Sequence, residues 1–227
     1  QDNGYAEKDP TADIEGFDAC RKVCILASLA FGKHVYPNQV RAEGITKITL
    51  EDVEYISSAH GVIKLLGQIK KIDDDKITAF VSPAVVFHGS QLASVNGVFN
   101  AILVRGDAVG DVCFYGAGAG KLPTASAVVA DMVDCAVHVN RRKNFGWGAG
   151  AEDYVVDEKS ALEMPFYVRA KASESEAVAL FHNVKFLTRT GQPSDEVAFI
   201  TDSMTENALD KKLEGVNVIN KIKVTNY

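Results

Sequence analysis

Two β-type runs, Val62–Ile72 and Lys76–Val86, stand back to back with only Asp73-Asp74-Asp75 between them. Long runs rich in Val and Ile, joined by three turn-forming acids, predict an extended antiparallel hairpin. A hairpin of that length commits the chain to a sheet that other elements must cover, and it excludes an alternating βαβα order. The segments around it supply the cover. Ile14 to Phe31 reads as one helix, with Val23, Ala27 and Ala30 at spacings of three and four, stopped by Gly32. Small residues (Ala19, Cys20, Cys24, Ala27, Ser28, Ala30) give that helix a smooth surface for close approach. A second helix opens on Thr49-Leu50-Glu51-Asp52, a short-acid capping box, and closes near Gly61. A further strand pair, Val98–Val104 and Asp111–Tyr115, turns through Gly106-Asp107 and Gly110. The loop Gly116-Ala117-Gly118-Ala119-Gly120 then leads into a helix from Pro123 to His138. The expected fold class is α+β: a mixed sheet covered by helices.

Residues 141–163 change character. Asn144-Phe145-Gly146-Trp147-Gly148-Ala149-Gly150 is glycine-rich and reads as a linker. Beyond it the pattern restarts with the strand Phe166–Ala172 and a short helix around Ser175–Phe181. A hairpin of Val184–Thr190 and Glu196–Thr201 crosses Gly191-Gln192-Pro193-Ser194. A helix from the capping box Ser203-Met204-Thr205-Glu206 to Gly215 and the strand Val216–Val224 complete the set. This βαββαβ order is the split-βαβ, ferredoxin-like arrangement. The expected organisation is residues 1–140, a linker at 141–163, and a small unit at 164–227. A unit of that size is marginal alone, so an interdomain or oligomeric contact is expected.

Composition narrows the function. Apolar residues are 47% and charged residues 24%, which is globular rather than disordered. The net charge is −6 with a pI near 5.4 and no Lys/Arg block, which argues against a nucleic-acid partner. No apolar run reaches the ~18 residues of a membrane span, so no membrane partner is expected. Gln1-Asp2-Asn3-Gly4 has neither the basic nor the apolar region of a secretory signal, and no initiator Met. The expectation is part of a longer, cytoplasmic polypeptide. Cys20, Cys24, Cys113 and Cys135 make no C-x-x-C pair and have no His at zinc-finger spacing. Cys20 and Cys24 share a helix face and read as buried free thiols, and no metal site is expected. His34, His60, His88, His138 and His182 are scattered, with no G-x-S-x-G elbow to make a hydrolase.

Three features carry chemistry. Asp18 and Lys22 are four apart, so their side chains leave one helix face. A surface ion pair accounts for that spacing. So does an ammonium held beside a carboxylate in a cleft, ready to give a proton to a carbonyl oxygen. Glu7, Asp9, Asp13 and Glu15 crowd the preceding segment, either as a solvated loop or as carboxylates converging on a substrate's ammonium. The glycine loop at 116–120 follows a strand and precedes a helix. It is either a tight turn or a place where backbone N–H groups approach an anionic or dinucleotide ligand. Lys121 stands where a dinucleotide fingerprint places its third glycine, and no βαβ unit follows.

Taken together, three stretches resemble the homoserine dehydrogenases. They are Gly4-Tyr5-Ala6-Glu7-Lys8-Asp9-Pro10 running through Asp13 to Gly16-Phe17-Asp18-Ala19-Cys20-Arg21-Lys22; Gly44-Ile45-Thr46-Lys47-Ile48-Thr49 with Ile63-Lys64-Leu65-Leu66-Gly67; and Tyr115 to Gly120 followed by Pro123 to Asp131. The resemblance implies NAD(P)H-dependent interconversion of L-aspartate 4-semialdehyde and L-homoserine. It implies Lys22 as proton donor, Glu7 and Asp18 as substrate ligands with Asp13 in support, and Gly4 and Gly120 beside the cofactor, NADP or NAD. Family enzymes place a nucleotide-binding domain before the Gly4–Glu7 motif, so the residues here are expected to be the substrate-binding and dimerisation region, inactive alone. The family resemblance implies a homodimer, and the terminal βαββαβ unit resembles ACT-type regulatory domains, which implies threonine as a candidate effector. Two stretches depart from the pattern. His88-Gly89-Ser90-Gln91-Leu92-Ala93 replaces an H-P-L-A-like turn, and Ala172-Ser173-Glu174-Ser175-Glu176 lacks the Pro and Gly of the ACT ligand turn. A non-catalytic amino-acid-binding module, or a dimerisation scaffold, is the other class of function open to such a chain.

Overall fold

The computed structural model describes residues 9–141, 144 and 146–225. They divide into a smaller compact unit within 89–144 and a larger one built from 11–88 and 146–225.

The larger unit opens with Thr11–Ile14 (α1) and Phe17–Phe31 (α2). The single helix predicted from Ile14 is interrupted because Gly16 sits at φ 78, a left-handed conformation that ends α1 and restarts the chain as α2. Gly32, at φ 72, closes α2 as predicted, its N–H donating to Ser28 O. Next come Arg41–Ala42 (β1), Leu50–Ser58 (α3), and the long hairpin Gly61–Lys71 (β2) and Ile77–Phe87 (β3), paired residue for residue. Thr49 caps α3 in the predicted box, with Asp52 accepting from its N–H at 3.1 Å.

The smaller unit is a hairpin, Phe99–Gly106 (β4) and Gly110–Ala117 (β5), followed by the helix Lys121–Val137 (α4). Phe99 and Tyr115 stack at 5.0 Å across the hairpin. No described residue of α4 is buried, and Leu122, Val128, Val129, Met132, Val133 and Val137 are all more than half exposed.

The remaining elements return to the larger unit: Glu158–Ala161 (α5), Glu163–Met164 (β6), Phe166–Lys171 (β7), Glu174–Leu180 (α6), Val184–Leu187 (β8), Val197–Thr201 (β9), Met204–Thr205 (β10), Glu206–Lys212 (α7) and Asn217–Thr225 (β11). The predicted βαββαβ order is present, with strands side by side as β11-β7-β9-β8, every neighbour antiparallel. The last helix starts at Thr205, not at the predicted Ser203. Met204 and Thr205 are held extended by pairing with Met164 and Glu163, so the cap falls on Thr205 Oγ1, which accepts from Ala208 N.

The division expected near residue 164 takes another form. β11 lies parallel to β3 at Lys223–Thr225 against Ala84–Val86, so one seven-stranded sheet runs through both halves of this unit. The glycine-rich segment read as a linker is also bonded down. Gly148 pairs with Lys33, Gln39 Nε2 donates to Ala151 O at 2.8 Å, and Ile77 exchanges hydrogen bonds with Tyr154 and Val156.

Three clusters form the core. Cys20, Val23, Cys24 and Ala27 of α2 pack on Ile77, Ala79 and Val81. Tyr55 and Ile56 of α3 lie against Tyr167, Ala198, Ile222 and Val224. On the opposite face, α6 and α7 cover Phe166, Val168, Ala170 and Phe199. A cavity of about 210 Å³ remains beside α6, lined by Ala170, Ala172, Ala177, Leu180, Phe199 and Leu213 among others.

Buried charge ties these layers. Glu206 accepts from Lys223 Nζ at 2.7 Å and pairs with Lys221 and Lys159 at 3.1 and 3.3 Å. Burial opposes its charge, but Lys223 and Lys221 outweigh that and hold its carboxyl down at about 2. A folded-state pKa below the unfolded one gives stability present above about pH 4.5 and lost as pH falls towards 2, on the order of 3 kcal/mol. Glu158, pushed up by burial, works in the opposite sense. Urea midpoints measured from pH 7 to pH 2 are therefore expected to fall less steeply in Glu206→Gln than in the parent. Identical slopes would refute it.

Candidate functional site

The site is built on the first turns of α2. Gly16 precedes that helix with no side-chain cap, and its carbonyl accepts the first helical hydrogen bond from Cys20 N at 2.9 Å. The helix lies unusually close to the sheet, because a Cβ on Gly67 would stand 2.3 Å from Val23 Cγ2. Gly67, inside β2, is thus the position that lets α2 sit down. The buried stripe of Cys20, Val23, Cys24, Ala27 and Ser28 then leaves Asp18 and Lys22 on the accessible side. Lys22 Nζ is 2.6 Å from Asp18 Oδ2, with side chains 59% and 44% accessible. The two residues expected from their spacing to meet do so, on a face open to a ligand.

The buried thiols beneath take no part. Burial and then Cys20 push Cys24 up to about 12, so it stays protonated and unreactive. Asp13 lies exposed in α1, one turn before Gly16, and its carbonyl accepts from Gly16 N at 3.3 Å. Gly4 and Glu7 lie outside the described residues.

Gly120 belongs to the smaller unit, directly ahead of α4. Its φ 112 and ψ 153 fall where only glycine is unstrained, so the loop's final glycine has a conformational reason. Gly118 has a different one: a Cβ there would collide with the Asn100 side chain.

Sequence reasoning missed what sets the start of α2. Ile45 N donates to Ile14 O at 2.9 Å, and a Cβ on Gly44 would be 2.4 Å from the same oxygen. The only sequence signal was a glycine at residue 44 with no turn to explain it.

Fold and geometry define an α+β protein that presents an acid–lysine pair on the helix covering its sheet. A family model described as homoserine dehydrogenase matches residues 1–133. A homoserine dehydrogenase of Pseudomonas aeruginosa is 40% identical over 181 residues, covering 77% of this chain and 42% of that protein. One from Mycobacterium tuberculosis is 50% identical over 137 residues, 57% of this chain and 30% of that protein. The crystal structure of a homoserine dehydrogenase from Thiobacillus denitrificans superposes with a TM-score of 0.81 at 31% identity, over 100% of this chain and 57% of that one. The chain belongs to the homoserine dehydrogenase family. It spans less than half the length of these curated relatives.

Proposed function

We propose that this chain is the substrate-binding and proton-donating part of a homoserine dehydrogenase, interconverting L-aspartate 4-semialdehyde and L-homoserine on the route to threonine, methionine and isoleucine. The observation that carries this is the Asp18–Lys22 pair, held at 2.6 Å on an accessible helix face inside the segment that matches the family. Asp18 takes the substrate's ammonium together with Glu7, and Asp13 supports that end of the pocket. Lys22 donates a proton to the oxygen that becomes the hydroxyl, and its ammonium stabilises the negative charge that develops there. In the reverse direction Lys22, deprotonated, accepts the hydroxyl proton.

A nicotinamide nucleotide, NADP or NAD, supplies the hydride when bound. The glycine turn suits a close approach of that group. Gly120 is in a glycine-only conformation, and a Cβ on Gly116 would meet nothing within 4 Å, so backbone is accessible there. Gly4 and Gly120 are the residues that would lie against it. The exposed apolar side chains of α4 support a seat for the nucleotide-binding domain that the family places ahead of this segment. The whole protein is read as a cytoplasmic homodimer.

The 227 residues alone are expected to show no NADPH oxidation with the semialdehyde, whereas the full-length protein turns over. Robust turnover by the 227 residues would overturn this division of labour.

The βαββαβ segment is read as an ACT-type unit, on its strand order and on the 210 Å³ cavity beside α6. That cavity favours a second reading, an amino-acid-responsive module with threonine as ligand. In calorimetry, saturable threonine binding that survives Lys22→Ala would support it. No heat above dilution would remove it.

A further inference from the structure

One buried cluster has no part in the reading above. Arg41, at the start of β1, meets three carboxylates, two of them from distant parts of the chain and one, Glu43, two residues on. Its guanidinium lies 2.8 Å from Glu158 Oε1 of α5, 3.7 Å from Glu206 Oε2 of α7 and 3.3 Å from Glu43 Oε2. Glu158 and Glu206 are themselves buried.

The short segment that Arg41 begins leads straight to the site. β1 is held in the sheet by only two residue pairs, to Phe80 and Val81, so pairing alone fixes it loosely. Glu43 N then donates to Val81 O at 2.9 Å, and Ile45 N donates to Ile14 O. Gly44 is pressed so hard against Ile14 and Glu15 that a methyl group would not fit. Ile14 O lies two residues before Gly16, where α2 begins. Close-packed contacts of this kind pass a displacement on rather than absorbing it. A shift of residues 41–45 is therefore a shift of the turn that carries Asp18.

We infer that Arg41 is a positioning residue for the reaction. By tying Glu158 and Glu206 to segment 41–45, it sets the place at which Asp18 and Lys22 meet the substrate. This rests on the proposed role of that pair. It extends the pair's support into the βαββαβ segment, because Glu206 is the first residue of α7.

The test is steady-state kinetics of the full-length enzyme oxidising L-homoserine. Arg41→Met is expected to raise KM for homoserine about tenfold, about 1.4 kcal/mol, with kcat within about threefold and KM for the nucleotide unchanged. Arg41→Lys, which keeps the charge, recovers part of the loss. Glu43→Gln alters a partner that is about one-third exposed, with little risk to folding, and carries the same prediction at about threefold. A general loss of stability would not single out one substrate's KM. Parental homoserine KM in folded Arg41→Met or in Glu43→Gln, or an equal rise for both substrates, overturns the inference. Lys22→Ala in the same enzyme separates the layers. If it stays active, the reading of the pair fails. If it is inactive while the Arg41 and Glu43 variants keep parental KM values, only the positioning role fails.

Discussion

Lys22→Ala in the full-length protein is expected to lower homoserine oxidation by about 10²- to 10⁴-fold, the usual worth of a placed acid–base group. Its melting temperature should barely move. The Asp18–Lys22 contact is i, i+4 on one helix, and both side chains are largely accessible. Pairs of that kind contribute at most about 1 kcal/mol and lose part of that to salt. The prediction is therefore a dissociation of two readouts, activity lost and stability kept. Lys22→Arg is expected to stay impaired, because a guanidinium does not give up its proton. A variant with a tenth or more of parental activity would refute the assignment of Lys22 as proton donor.

The second large effect runs the other way, on stability. Asp52 is fully buried on α3, and its carboxylate gathers donors from two strands, β7 and β11. Arg169 Nη1 and the Tyr167 hydroxyl reach Oδ1 at 2.9 and 3.0 Å, and Asn220 Nδ2 reaches Oδ2 at 2.8 Å. Burial, then the neighbouring Asp52, push the Tyr167 hydroxyl far above its ordinary value, so it stays protonated and donates to Asp52. Asp52→Ala removes the nearest buried partner of the Arg169 guanidinium, leaving Glu196 at 3.5 Å and Glu51 at 3.8 Å, and is expected to cost about 3–5 kcal/mol, read from the urea midpoint. Replacing both charges, as Asp52→Leu with Arg169→Met, is expected to cost less than the single change, because the guanidinium goes with its partner and Glu196 keeps Arg189 at 3.4 Å. A loss below 1 kcal/mol for Asp52→Ala would show that the network is ornamental.

Asp52 also shows where the sequence could be read and where it could not. Its capping role was legible, because a box is written in four consecutive residues. Its burial was not, since Tyr167, Arg169 and Asn220 lie more than a hundred residues away and nothing local announces them. Gly32 as a stop was plain from the end of the apolar period. Gly16 was not, because the apolar spacing continues on both sides of it. The acid–lysine spacing put Asp18 and Lys22 on one face, and the family motif gave that face a meaning. The long hairpin and the βαββαβ order could be followed element by element. That β11 would settle beside β3 could not, because β3 is uniformly buried and its residues do not name a neighbour.

That last pairing has a consequence for how the protein is made. β11 stands between β3 and β7, yet it is translated after every other strand of the sheet. While the nascent chain lengthens, the edge of β3 that awaits Lys223–Thr225 has unmet hydrogen-bonding groups, flanked by Val85 and Val86. An open strand edge of that kind invites pairing with another chain. A chain cut short before residue 217 would leave the place between β3 and β7 unfilled, and is expected to aggregate through that open edge.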